Sequence, residues 1–237
     1  MSSLFENAQS VASNNLLCYV NADIILMSDF MRAVREVRSR KRRFLVVGRR
    51  WNVKVQDPLD FNGGWEARLR DHVQRTGWLY DGMDYFVFPR NLFGSIPPFA
   101  FGRGFWDNWL MYRARRRMAA LIDATKSIMA VHQDHDYGKF GRTIRVSNSE
   151  EWNLNLKLLA KDSLLGRFTI DDATHLLLPS GVKVSNSPGR LIISTLKFVA
   201  MCPLSPVPSP VLDYLLRLSL PPLGAMPVRP AQGRHRV

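Results

Sequence analysis

The chain has 237 residues, 46% hydrophobic and 11% aromatic, with 33 Lys and Arg against 20 Asp and Glu for a formal net charge of +13. That length and apolar content suit one sizeable α/β domain, or a domain with a tail, and exclude a disordered chain. Cys18 and Cys202 sit in unlike contexts, so neither a disulfide framework nor a cysteine zinc site is implied; a reducing, cytoplasmic location is expected.

The N-terminal residues read as the inside of a helix, about Leu4 to Ala12, leading into a strand from Leu16 to Val20. That strand empties into Asn21-Ala22-Asp23 before Ile24-Ile25-Leu26. A carboxylate at the end of a buried strand is costly unless a positive group meets it, and a hard divalent cation is a common answer. A turn residue is the plainer alternative for Asp23. Ser28 can cap a helix with Phe30, Val34 and Val37 on one face and Arg32, Arg35 and Arg38 on another.

Phe44 to Gly48 is a short buried-type strand, and Trp65 to Thr76 an amphipathic helix that Gly77 ends. Asp84 to Phe88 alternates as a strand stopped by Pro89, and Phe105 to Met118 is a helix with Phe105, Trp109 and Tyr112 in register. Leu121 to Asp123 and Ser127 to Val131 read as strands, and Glu150 to Ala160 as a helix. Strands alternating with helices argue for an α/β sheet fold. Prolines crowd the chain from Pro203 onward, where a poorly ordered tail is expected. The longest apolar stretch, Leu191 to Leu204, is broken by Lys197 and falls short of the roughly 18 residues of a membrane-spanning helix. Glu6, Asn7 and Gln9 without a basic start argue against a secretory signal.

Two further clusters bear on chemistry. Trp106-Asp107-Asn108-Trp109 follows Gly102-Arg103-Gly104, so Asp107 falls in the first turn of a helix. There it serves either as a partner of the helix dipole or as a general base held between two indoles. His132 and His135 lie beside Asp134 and Asp136, a set suited to a metal ion; a histidine–aspartate hydrolase would need further ligands. The excess arginine points to an anionic partner: a nucleotide-sugar, a nucleic acid or an acidic lipid head group. The tracts at 38–43 and 113–117 are either solvated helix ends or a nucleic-acid surface, and no zinc knuckle, RNP-type motif or helix-turn-helix accompanies them.

In their order along the chain these pieces resemble the nucleotide-diphospho-sugar transferase superfamily, the GT-A glycosyltransferases of family-2-like type. Tyr19-Val20-Asn21-Ala22-Asp23-Ile24 resembles the DxD region, with Asn21 in place of the first carboxylate. Gly82-Met83-Asp84-Tyr85-Phe86 resembles the glycine-containing loop beside the donor sugar, and Trp106 to Trp109 the acidic xED motif. His132 or His135 stands where the late metal-binding histidine belongs.

The resemblance implies a GT-A-like mixed sheet flanked by helices over residues 1–178, truncated at its N-terminus because only one helix precedes Leu16, with a C-terminal extension over 179–237. It implies that Asp23, with His132 or His135, holds Mn²⁺ or Mg²⁺ against the diphosphate of a nucleotide-sugar donor. Gly82, Met83 and Asp84 would border the donor sugar. In an inverting enzyme Asp107 would take a proton from the acceptor hydroxyl of a carbohydrate or other alcohol, and Trp106 and Trp109 would shape the acceptor side. The alternative is a remnant without catalysis that binds an anion or nucleic acid.

Overall fold

The computed structural model describes residues 1–55, 58–133, 149–162 and 168–185, together with Ile192 and Lys197. His135, Asp134, Asp136 and the proline-rich stretch lie outside the described residues.

Strand β3 (Phe44–Val47) shows how the sequence builds the centre. Side chains alternate across a strand, so Phe44 and Val46 go to one face and Leu45 and Val47 to the other. Both faces are covered, and all four residues are at most 2% exposed. Around it runs a six-stranded mixed sheet in the order β1-β6-β3-β7-β9-β10. Its other strands are β1 (Leu16–Val20), β6 (Tyr85–Pro89), β7 (Ala120–Asp123), β9 (His175–Leu178) and β10 (Gly181–Val184). β3 and β7 run parallel, as do β7 and β9, whereas β6 is antiparallel to both β1 and β3. The described sheet therefore continues past residue 178, through β10. β1 is an edge strand, with Cys18 and Val20 exposed.

Helix α2 (Ser28–Arg40) lays Ala33, Val34 and Val37 against Phe44, Val46, Tyr85 and Val87 on one face of this sheet. Its arginines at 32, 35 and 38 are exposed, as the helical spacing predicts. Ser28 does not cap it: Met27 is the N-cap, and the Ser28 amide and hydroxyl instead donate to the Glu66 carboxylate at 2.9 and 2.6 Å. The opposite face carries α1 (Ser2–Val11), through Phe5, and α4 (Trp106–Arg116). Helix α5 (Glu150–Asp162) covers the same cluster through Leu159.

A second sheet, ordered β2-β8-β4-β5, comprises β2 (Ile24–Ile25), β8 (Ala130–Gln133), β4 (Arg50–Val53) and β5 (Trp78–Tyr80). Helix α3 (Trp65–Thr76) packs on it through Leu69 and Val73, against Val53 and Val131. Asp172, in a single 3-10 turn at Ile170–Asp172, forms a buried pair with Lys197 at 2.7 Å.

Candidate functional site

The chain leaves β1 at Val20 and turns at once, with the Ile24 amide donating to the Asn21 carbonyl at 3.2 Å. It then enters the second sheet, where Ile24 of β2 pairs with His132 of β8. This crossing between sheets carries Asp23 to His132: Asp23 Oδ2 lies 3.1 Å from His132 Nε2, with the histidine side chain 1% exposed and the aspartate 33%. Burial first, then the Arg50 guanidinium, push His132 below its usual value, against the pull of Asp23 and Asp84. A neutral imidazole at pH 7 is the form that ligates metals.

Beside this pair lies a second polar chain. Tyr19 Oη donates to Asn21 Oδ1 at 2.8 Å, and Asn21 Nδ2 donates to Asp84 Oδ1 at 2.5 Å. Arg50 meets the other oxygen of Asp84 at 2.5 Å, and its Nε donates to Asn52 Oδ1 at 2.9 Å. The guanidinium also lies 4.9 Å from the centre of the Tyr80 ring, a favourable stack. Asn52 in turn pairs with His132 across the β4–β8 ladder, which closes the cluster. Gly82 accepts from the Arg50 amide at 3.2 Å, and a Cβ there would come 2.9 Å from the Tyr80 ring. Met83 is half-buried against the larger core.

Of the residues singled out in the sequence, Asn21, Asp23, Asp84 and His132 thus converge. Asp107 is half-buried in the first turn of α4, with its Oδ1 accepting the Asn108 amide at 2.9 Å. Its link to the cluster is its neighbour Trp106, whose ring meets Tyr19 edge-on at 5.2 Å. Trp109 is 1% exposed and packs on Phe99 in the core. The loop before α4 is held in place: buried Asn155 accepts from the Ala100 amide and donates to the carbonyls of Ala100 and Gly104, at 2.8 to 3.0 Å. It ends at Phe105 with φ of +80°, a conformation a bulky L-residue adopts only under constraint.

Sequence reasoning passed over Arg50, Asn52 and Asn155. Arg50 had a signal of the kind that marked Asp23, a charge at the mouth of an apolar strand. Asn155 had none, because its partners lie more than fifty residues away.

The residues present fit a cation bound jointly with a substrate. Mg²⁺ or Mn²⁺ on phosphates needs only one or two protein ligands, and adjacent ligands of an octahedral ion about 2.1 Å away stand about 3 Å apart, as Asp23 and His132 do. No group of three or more His, Cys, Asp or Glu side chains placed to hold a metal occurs among the described residues. The Asp84 carboxylate is taken up by Arg50 and Asn21. Comparison of the chain with protein-family models, with curated proteins and with solved structures gave no match.

Proposed function

We propose that this chain is a GT-A-type, metal-dependent glycosyltransferase that moves a sugar from a nucleotide-diphosphate donor to an acceptor hydroxyl. The observation that carries the reading is the approach of Asp23 to His132, 109 residues apart in sequence, beside the ion pair of Asp84 and Arg50. Asp23 and His132 would hold Mn²⁺ or Mg²⁺, which neutralises charge on the departing diphosphate when bound. Arg50 keeps the Asp84 carboxylate fixed beside the donor sugar and adds positive charge to the site. Asp107 accepts the proton of the acceptor hydroxyl as its oxygen bonds to the anomeric carbon and the carbon–phosphate oxygen bond breaks. Trp106 sets the position of that acid against Tyr19; Trp109, in the core, serves α4 rather than the acceptor.

Calorimetric titration with Mn²⁺ and a panel of nucleotide-sugars, followed by product assays, tests this. Asp23→Asn is expected to abolish metal-dependent donor binding, and Asp107→Asn to leave binding intact while slowing transfer on the order of 100-fold or more. Donor binding unaffected by Asp23→Asn would sink the metal assignment. A second reading, a module that binds anions without catalysis, is favoured by the exposed arginines of α2. Under it any nucleotide-sugar binding is independent of Mn²⁺, no sugar is transferred, and Asp23→Asn changes nothing.

A further inference from the structure

We infer that a cleft between α3, β5 and the end of β4 binds the acceptor, and that the acceptor is a saccharide chain. The inference rests on the transferase reading. The cleft has a volume of about 540 Å³, and Trp65 and Trp78 are among its lining residues. Trp78 is 45% exposed, as are its neighbours Leu79 and Tyr80 on this edge strand, so its indole is open to a ligand. The apolar side of the cleft includes Leu69, and its polar lining carries both signs of charge, Lys54 and Arg68 against Asp60, with the His72 ring beside them.

That combination discriminates between ligands. A pyranose presents an apolar C–H face to an indole and hydroxyls to mixed donors and acceptors. A nucleotide phosphate asks instead for several convergent, uncommitted cations, and among the described residues this lining offers Lys54 alone. Here Arg68 donates to the carbonyls of Gly63, Asp60 and Asn62, at 2.7, 3.1 and 3.4 Å, and its guanidinium lies 3.8 Å from the Asp60 carboxylate. A His72 ring nitrogen is 3.0 Å from the Lys54 carbonyl. The carboxylate of Asp60 repels phosphate and accepts from hydroxyls.

The cleft also adjoins the candidate site. Gln133, the neighbour of His132, donates through its amide nitrogen to the Asp23 carbonyl and through Nε2 to the carbonyl of Val55, a lining residue, each at 3.3 Å. Trp78 also stands opposite Asn52 in the β4–β5 ladder, and Asn52 opposite His132 in the β4–β8 ladder, so a chain lying on Trp78 would run toward the Asp23–His132 pair.

The test uses the full chain and soluble hexasaccharides of glucose, mannose and galactose, read by tryptophan fluorescence and calorimetry. At least one is expected to bind. Trp78→Ala should weaken that binding tenfold or more with an unchanged melting temperature, and Trp78→Phe should largely retain it. Binding of the Mn²⁺–nucleotide-sugar should not respond to Trp78→Ala. The inference is overturned if no hexasaccharide binds, if Trp78→Ala binds as well as wild type, or if a nucleoside diphosphate displaces the saccharide. Saccharide binding without any nucleotide-sugar binding would uphold the cleft while removing the transferase reading.

Discussion

Asn21 follows β1, and its neighbours suit an amide there rather than a carboxylate. Its amide nitrogen donates to Asp84 at 2.5 Å while its oxygen accepts from Tyr19, so both ends of the side chain are used. An aspartate would be isosteric but would set two carboxylates against each other. Like charges at such range raise the pKa of one of them. For Asn21→Asp we therefore expect a loss of about 2 kcal/mol at pH 7, where a pair shifted by one to two units would stand. The sign follows from linkage. An acid raised in the folded state binds more protons there than in the unfolded chain, so the penalty grows as pH climbs from about 4 and fades below it. Urea unfolding at pH 4 and pH 7 with EDTA present checks this, and equal losses at both would show that charge is not the cause.

At the level of elements, the loop after β3 is shaped by one contact with β6. A Cβ on Gly48 would fall onto the Tyr85 hydroxyl and lie 2.9 Å from Cζ. Tyr85 is fully buried, its hydroxyl has no hydrogen-bond partner among the described residues, and burial drives its pKa well up. Tyr85→Phe should then cost less than about 1 kcal/mol, because it removes a buried donor that nothing satisfies. Gly48→Ala should cost about 2 to 3 kcal/mol by overpacking. In the double variant part of that loss should return, with a coupling of about 1 kcal/mol in chemical denaturation. Simple additivity would refute the contact. The helices were legible because a 3.6-residue period needs only local sequence: α3 matches its expected bounds, and α2 buries the predicted Val34 and Val37. β4 and β5 were not, because Arg50 and Asn52 break any apolar run in β4 and β5 is only three residues long. The strand expected from Ser127 begins instead at Ala130, because the Ser127 and Ile128 amides both turn back to the Ala124 carbonyl.

For the molecule as a whole, charge is the dominant property. The net charge of +13 is concentrated in part on Arg32, Arg35 and Arg38 of α2 and on Lys41, Arg42 and Arg43 just beyond it. On this helix Arg40 is the arginine paired with Glu36, in an exposed contact worth a few tenths of a kcal/mol. If those six side chains meet phosphates, affinity for a short DNA duplex should fall about a thousandfold between 50 and 200 mM salt. The triple variant Arg32→Gln, Arg35→Gln, Arg38→Gln should reduce the logarithmic salt slope by about three. Fluorescence anisotropy measures it, and an unaltered slope would clear α2 of any part in polyanion binding. No helix among the described residues is long and apolar enough to cross a membrane.

The amino-acid order alone determined the α/β character, the faces of the helices, and the individual segments that bear Asp23, Asp84, Asp107 and His132. Those are properties of short windows, governed by local periodicity and turn chemistry. Only the tertiary structure decided that Asp23 and His132 meet, because their contact depends on the β2–β8 register across 109 residues. It also decided that Trp106 and Trp109, three positions apart on one helix, share the larger core but meet different rings there, Tyr19 and Phe99. Packing selects between such neighbours, and packing partners are not neighbours in sequence.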